Sequence, residues 1–211
     1  MDMVFDIKIR KKTLKIKLVA FNLPLFYAWK KYFDGIENVE IIDGDILSQQ
    51  ADAIVSPANS FGYMDGGLDL KYSQHFGWEL EDKLRAVLEE QYFGEIPVGQ
   101  SIIIKIDNDT VKYLICAPTM RVPMNVANTA NAYLAFKGIL QAVQVFNKKY
   151  PNSIQSIACP GLATGEGKML AERCALQMRE AYRVCMEKGM LKNGGLATAA
   201  RHHMKLLEKD F

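Results

Sequence analysis

The chain has 211 residues, a formal net charge of +2, 49% hydrophobic and 24% charged residues. That is enough chain for one well-buried domain and short for two, and the composition excludes a disordered, collagenous or coiled-coil protein. No apolar run reaches the length of a membrane span, the N-terminus does not read as a signal peptide, and a sequence pI of about 8.2 is below that expected of a dedicated nucleic-acid binder. Ile7, Ile9, Leu14, Ile16 and Leu18 recur at period two and predict one or two N-terminal strands. Arg10, Lys11 and Lys12 form a basic run, read as a solvated turn or strand edge rather than a nucleic-acid contact. Asn22 is a candidate N-cap, Pro24 opens a helix reaching about Phe33, and Gly35 stops it. Residues 39–42 and 53–55 predict short strands. Residues 71–92 predict one long helix with Tyr72, Phe76, Leu80, Leu84, Val87 and Leu88 on one face. Residues 102–106 and 111–116 flank an Asp-Asn-Asp turn and predict a hairpin. A helix over 128–147, a strand over 154–159 and a helix over 169–188, stopped by Gly189, follow. The tail from Asn193 carries a short helical pattern in which His202 and His203 point apart, a poor metal clamp, and both read as surface residues.

Strands alternating with helices imply an α/β fold of three layers, helices covering both faces of a sheet, and the hairpin makes that sheet mixed. Cys116 and Cys159 fall in strand-like runs and Cys174 and Cys185 in a helical one, with no CxxC spacing. They read as unpaired thiols of a cytoplasmic protein. No His/Cys cluster suggests a metal, and no cofactor is expected.

The unusual residues gather at three strand ends. These are Gly44-Asp45-Ile46, the run from Asn59 to Asp69 with Gly66-Gly67 inside it, and Gly161-Leu162-Ala163-Thr164-Gly165-Glu166-Gly167. Ligands of helix-covered sheets sit beyond the carboxyl ends of the strands. Glycines let a backbone approach a ligand, and the amides opening a helix attract anions, so two such loops could grip a diphosphate. Neither a Walker A loop nor a dinucleotide fingerprint is present. On composition alone, two tight turns explain the glycines equally well.

The run Gly44-Asp45-Ile46 followed by Ala51-Asp52-Ala53-Ile54-Val55-Ser56-Pro57-Ala58-Asn59 resembles the opening "GDIT … VDAIVNAAN" of the macrodomain family. Gly66-Gly67-Leu68-Asp69 resembles its "GGGGVD", Gly77 falls where its helix has "AAG", and Cys159-Pro160-Gly161-Leu162-Ala163-Thr164-Gly165 is similar to "FPAISTG". The likeness runs in order over about residues 39–187, leaving residues 1–38 as an N-terminal extension and 190–211 as a tail helix of a single macrodomain. It implies a cleft for ADP-ribose or an ADP-ribosylated protein. Asp45 would accept from the adenine amino group, with the Ile46 amide beside it. Asn59 would hold a distal ribose hydroxyl. Gly66 and Gly67, with Leu68, would form the loop around the distal ribose and phosphates, and Gly161 through Gly167 the second phosphate loop. Asp69 would activate water near the anomeric carbon. The plainer readings are that Asp45 caps a turn, that Asn59 bonds its own loop, and that Asp69 caps a helix.

Three departures from the family pattern stand out: Ser56-Pro57 for Asn-Ala, Asp65 for a glycine, and Gly167 near the position of an aromatic that covers the distal ribose. Tyr63 or Lys168 could supply that cover instead. The departures weigh on hydrolysis more than on binding. The expected function is therefore ADP-ribose binding with hydrolysis of a mono-ADP-ribosyl protein or O-acetyl-ADP-ribose, the alternative being a reader that binds without chemistry. Nucleic-acid and membrane partners are not expected.

Overall fold

The computed structural model describes residues 13–187, 189 and 195–208. Ile7, Ile9 and the basic run at Arg10, Lys11 and Lys12 lie outside the described residues. The elements are β1 (Lys15–Ala20), α1 (Leu23–Phe33), β2 (Val39–Asp43), a 3-10 turn (Ile46–Ser48), β3 (Ala53–Ser56), α2 (Gly67–Phe76), α3 (Glu79–Tyr92), β4 (Ile102–Lys105), β5 (Tyr113–Cys116), α4 (Asn131–Lys149), β6 (Ser156–Cys159), α5 (Ala171–Met186) and α6 (Gly195–Leu207). The strands make one six-stranded sheet in the order β2-β1-β6-β3-β5-β4. Every pairing is parallel except that of β4 with β5, which is antiparallel from Ile102↔Cys116 to Lys105↔Tyr113. The expected mixed sheet and hairpin are therefore present.

Alternation along the strands builds two apolar layers. Ile16, Leu18 and Ala20 of β1, Val55 of β3, Ile115 of β5 and Ile157 of β6 join the cluster beneath α1, α4 and α5. The intervening residues Val19, Ile54, Leu114, Cys116 and Ala158 join the cluster beneath α2 and α3. Strands buried on both faces account for the near-continuous apolar runs in the sequence. Strand β1 lies between β2 and β6, so residues read as an N-terminal extension sit inside the sheet. Asn22 caps α1 as expected, its Oδ1 accepting from Leu25 N at 3.0 Å.

The long helix expected over 71–92 is two helices. Gly77 adopts φ 106°, in the left-handed region, and ends α2; a Cβ there would stand 2.5 Å from the Glu79 carboxylate. The apolar stripe continues across the break because Phe76 and Leu80 keep a four-residue spacing. Among the described residues, no helix is long and apolar enough to cross a membrane. The tail helix α6 packs on α5.

Two features place a crevice at the carboxyl rim. The chain leaves β3 toward α2 on one face of the sheet and leaves β6 toward α5 on the other. The ladder between these neighbouring strands also stops at Ile54↔Ala158, short of Ser56 and Cys159. A ligand crevice forms where adjacent strands send their connections to opposite faces. At the other end of the same pair, Asp52 Oδ2 accepts from Gln155 N at 2.8 Å, Ser156 N at 2.9 Å and Ser156 Oγ at 2.9 Å, clamping the strands together.

Candidate functional site

The rim carries the three segments singled out in the sequence and a fourth, residues 117–130, whose last three residues are expected in a helix that begins only at Asn131. This fourth segment ties the two glycine-bearing loops together. Thr119 N donates to Ala58 O at 3.0 Å and Ser60 N to Arg121 O at 3.1 Å on one side, while Val126 N donates to Gly167 O at 2.9 Å on the other. Its signal was the cluster of Pro118, Pro123, Asn125 and Asn128 between a strand and a helix, which marks a long loop but gives no hint of its bonding.

At the end of β2, Asp45 is exposed and caps the 3-10 turn, Oδ1 accepting from Leu47 N at 3.0 Å. Its Oδ2 accepts no hydrogen bond among the described residues. The Ile46 side chain is buried in the apolar layer beneath α2 and α3, so only its backbone faces the rim.

Beyond β3, the Asn59 side chain stitches its own loop. Oδ1 accepts from Phe61 N at 3.0 Å and Tyr63 N at 3.3 Å, and Nδ2 donates to Tyr63 O at 2.8 Å. Gly66 and Gly67, at the start of α2, have open space where a side chain would stand, and Gly67 adopts φ 56°. Leu68 packs its side chain on the apolar layer. The helix ladder begins with Leu70 N donating to Gly66 O, leaving the first amides of α2 for another acceptor.

Asp69 does not cap its helix: the N-cap is Gly66, and no side chain bonds the helix end. Its carboxyl is instead buried, with the residue 8% exposed, and Oδ1 accepts from Ser56 Oγ at 2.7 Å. Burial pushes it up to about 7, against the opposing pull of the Ser56 hydrogen bond. Ser56 was visible in the sequence only as a departure; its alternation with Ile54 is what turns it toward α2. Tyr72, one turn on, donates its hydroxyl to Val55 O at 3.0 Å and pins α2 to the end of β3. Cys116 lies opposite Ser56 in the ladder, and burial, aided by the Asp69 charge, pushes its thiol up.

The loop after β6 is built differently. Leu162 and Ala163 are buried in the core, and Ala163 adopts φ 63°. Met169 N donates to Ala163 O and Lys168 N to Gly165 O, both at 3.0 Å. Thr164 is half-buried, and Gly165 and Glu166 form the exposed tip. A Cβ on Gly161 would lie 2.6 Å from Leu25 Cδ2, and one on Gly167 would lie 2.5 Å from Ala163 O and 2.7 Å from Val126 Cγ2. No aromatic cover fits at Gly167. Tyr63, 46% exposed, instead carries the Arg85 guanidinium 4.6 Å from its ring centre. With Asn59, Phe61, Asp65, Val122 and Pro123 it lines a cleft of about 450 Å³.

Residues 34–192 match the family of macro-like domains. The chain belongs to that family. An uncharacterized protein of Aquifex aeolicus is 31% identical over 158 residues, spanning 73% of this chain and 88% of its own. Among solved structures, the macrodomain of Mycobacterium tuberculosis DarG matches with a TM-score of 0.56 at 21% identity, over 67% of this chain and 88% of that one. Thermosipho africanus DarTG in complex with ADP-ribose matches with a TM-score of 0.54 at 17% identity, over 75% of this chain and 47% of that one.

In this macro-like domain the first turn of α2 brings together two kinds of group. Its first amides, without a partner among the described residues, favour an anion. A buried carboxyl that titrates near neutrality can take a proton from water. Among the described residues, no group of three or more His, Cys, Asp or Glu side chains could hold a metal.

Proposed function

We propose that this macro-like domain binds ADP-ribose in the crevice between β3 and β6 and hydrolyses an ADP-ribose derivative there, a mono-ADP-ribosyl protein or O-acetyl-ADP-ribose. The observation that carries the reading is Asp69: a buried carboxyl free of any capping duty, held by Ser56 through one oxygen and shifted to about 7. A base with that affinity is matched to neutral pH, where it is substantially ionised yet still accepts a proton. On a mono-ADP-ribosyl protein, Asp69 takes a proton from a water poised over the distal ribose as that water attacks the anomeric carbon. The bond to the side-chain oxygen breaks with its electron pair, and the proton passes to that oxygen. On O-acetyl-ADP-ribose the same water attacks the acetyl carbonyl carbon instead. The ester bond breaks with its electron pair on the ribose oxygen, and the proton passes there, leaving ADP-ribose and acetic acid. Amides of Gly66, Gly67 and Leu68 and of the Gly161–Gly167 loop hold the diphosphate, fixing the reacting geometry. Asp45 accepts from the adenine amino group through the oxygen its turn leaves free, with the Ile46 amide beside it. The solved relative in complex with ADP-ribose supports the choice of ligand. Four cysteines without a disulfide fit a reducing compartment, and we place the protein in the cytoplasm.

A reader without chemistry is the second reading. Both polar atoms of the Asn59 side chain are committed to its own loop, so the proposed ribose anchor is not free in this conformation. Calorimetric titration with ADP-ribose, run beside a product assay, decides between the two. Wild type should bind in the micromolar range, and Asp45→Ala should weaken binding by about tenfold. Asp69→Asn should keep its affinity and lose about 10² to 10⁴ in turnover. Full turnover in Asp69→Asn would remove Asp69 as the base. Binding by wild type with no product from either substrate would leave the reader.

A further inference from the structure

Helix α6 lies beyond the segment that matches the family, and it is bonded into the rim. Thr198, His202 and Leu206 recur every four residues and are its inward positions, with Leu206 in the main apolar core and the other helix residues largely exposed. His202, expected on the surface, packs edge-on against Tyr133 with ring centres 5.2 Å apart and sits 3.5 Å from Glu180. The buried Glu180 carboxylate also meets Lys205 at 2.7 Å and Arg183 at 2.9 Å, fastening α6 to α5.

Two buried side chains of α5 then join the end of α6 to the loop over 126–130. Gln177, 0% exposed, donates from Nε2 to Leu206 O at 2.9 Å and Thr129 O at 2.7 Å, while its Oε1 accepts from Tyr133 N at 3.1 Å. Arg173, 4% exposed, donates to Glu208 O at 3.2 Å, to Asn128 Oδ1 at 3.0 Å and to Ala127 O. It forms no ion pair with a carboxylate among the described residues. Its charge is met by oxygen acceptors, among them Glu208 O just past the C-terminal end of α6, where the helix dipole is negative. A buried cation that loses such partners is strongly destabilised, so α6 and the 126–130 loop hold one another in register. The chain of contacts continues to the ligand side. Val126 N donates to Gly167 O, and Gly167 packs so closely on Val126 and Ala163 that an added Cβ would lie 2.7 Å and 2.5 Å from them.

Resting on the ADP-ribose reading, we infer that α6 is a strut for the phosphate-binding rim and that Arg173 and Gln177 are the positioning residues through which it acts. With the strut seated, the Thr164–Gly165–Glu166 tip is held where a diphosphate meets it; with the strut loosened, the 126–130 loop and the tip lose their fixed spacing.

The test uses the full chain with Leu206→Asp, which puts a charge where α6 docks, and with Glu180→Gln, which weakens the fastening far from the loop and keeps the protein folded if the first variant does not. Hydrogen exchange follows the amides of α6, Val126 and, as a control, Ile54 and Ala158. Calorimetry follows ADP-ribose. The expected result is faster exchange in α6 and at Val126 by about tenfold or more, unchanged exchange at Ile54 and Ala158, and ADP-ribose affinity down by about tenfold. Loss of protection in α6 with Val126 and affinity unchanged would overturn the strut. If wild type does not bind ADP-ribose, the ligand assignment fails, and the Val126 amide still decides whether α6 holds the loop.

Discussion

The loop after β3 and the loop after β6 look alike in sequence, each a glycine-bearing run between a strand and a helix, yet the pair that opens α2 and the two glycines that bound the second loop answer to opposite constraints. Gly66 and Gly67 border open space, while Gly62, earlier in the same loop, would put a Cβ 2.7 Å from Leu88 Cδ1. Gly161 and Gly167 are enclosed, an added carbon meeting the Leu25 and Thr164 side chains at the first and the Ala163 carbonyl at the second, and of the second loop's glycines only Gly165 is open. The first loop is stitched by a side chain, Asn59, and the second by its backbone, with Ala163 and Lys168 in left-handed conformations. A glycine can therefore serve what has yet to arrive or what is already packed against it, and only the space around its Cα separates the two.

The comparison is sharpened most by a charge on the open side. The Asp69 carboxyl binds its proton more tightly in the folded chain, near 7, than its ordinary value of 3.8. The folded state then holds more protons than the unfolded one between those values, so stability falls as pH rises across that window and is flat above it. The slope is up to about 1.4 kcal/mol per pH unit. Asp69→Asn, which keeps an acceptor for Ser56 and has no charge to bury, should lack this slope. Denaturant titrations should find it roughly 2–4 kcal/mol more stable than wild type at pH 8 and equal to it below pH 4. Equal stability at pH 8 would mean that the folded chain opens enough to hydrate the carboxylate.

On the enclosed side, Gly167→Ala drives a Cβ to within 2.5 Å of the Ala163 carbonyl, a backbone atom that moves only with its loop. We expect a stability loss of about 2–3 kcal/mol, seen as a lower denaturant midpoint, with weaker ADP-ribose binding following from it. A variant of wild-type stability would show that the second loop has slack and would break the contrast between the two loops.

Much of the fold was legible because strand periodicity and helix caps are local. The two-residue alternation of β1 and the Asn22 cap required no knowledge of distant residues. What escaped is non-local. The break at Gly77 hid because Phe76 and Leu80 preserve a helical spacing across it. Residues 117–130 join both glycine loops largely through backbone amides and carbonyls, which no side-chain pattern records. Ser56 read as a departure, and its bond to Asp69 follows only once β3 and α2 are laid against each other. His202 read as a surface residue because it and His203 point apart and make a poor metal clamp, an argument that is silent on which of the two turns toward Tyr133 and Glu180. For Asp69 the sequence left capping and chemistry level; the geometry removes the cap, since α2 opens at Gly66 without a side-chain bond.

The smallest expected change in stability tests the open side most cleanly. Gly66 has φ −146° and ψ 162°, an extended conformation open to any residue, and nothing lies within 4 Å of an added Cβ. Gly66→Ala should therefore cost less than about 1 kcal/mol, the modest penalty of alanine at an N-cap. If the diphosphate approaches the backbone here, the added methyl meets the ligand rather than the protein, and ADP-ribose affinity should fall by about tenfold or more while the denaturant midpoint barely moves. Gly167→Ala couples the two losses, whereas Gly66→Ala should separate them. Unchanged affinity in a stable Gly66→Ala protein would mean that the phosphates pass elsewhere along the crevice and that this glycine's openness serves no ligand.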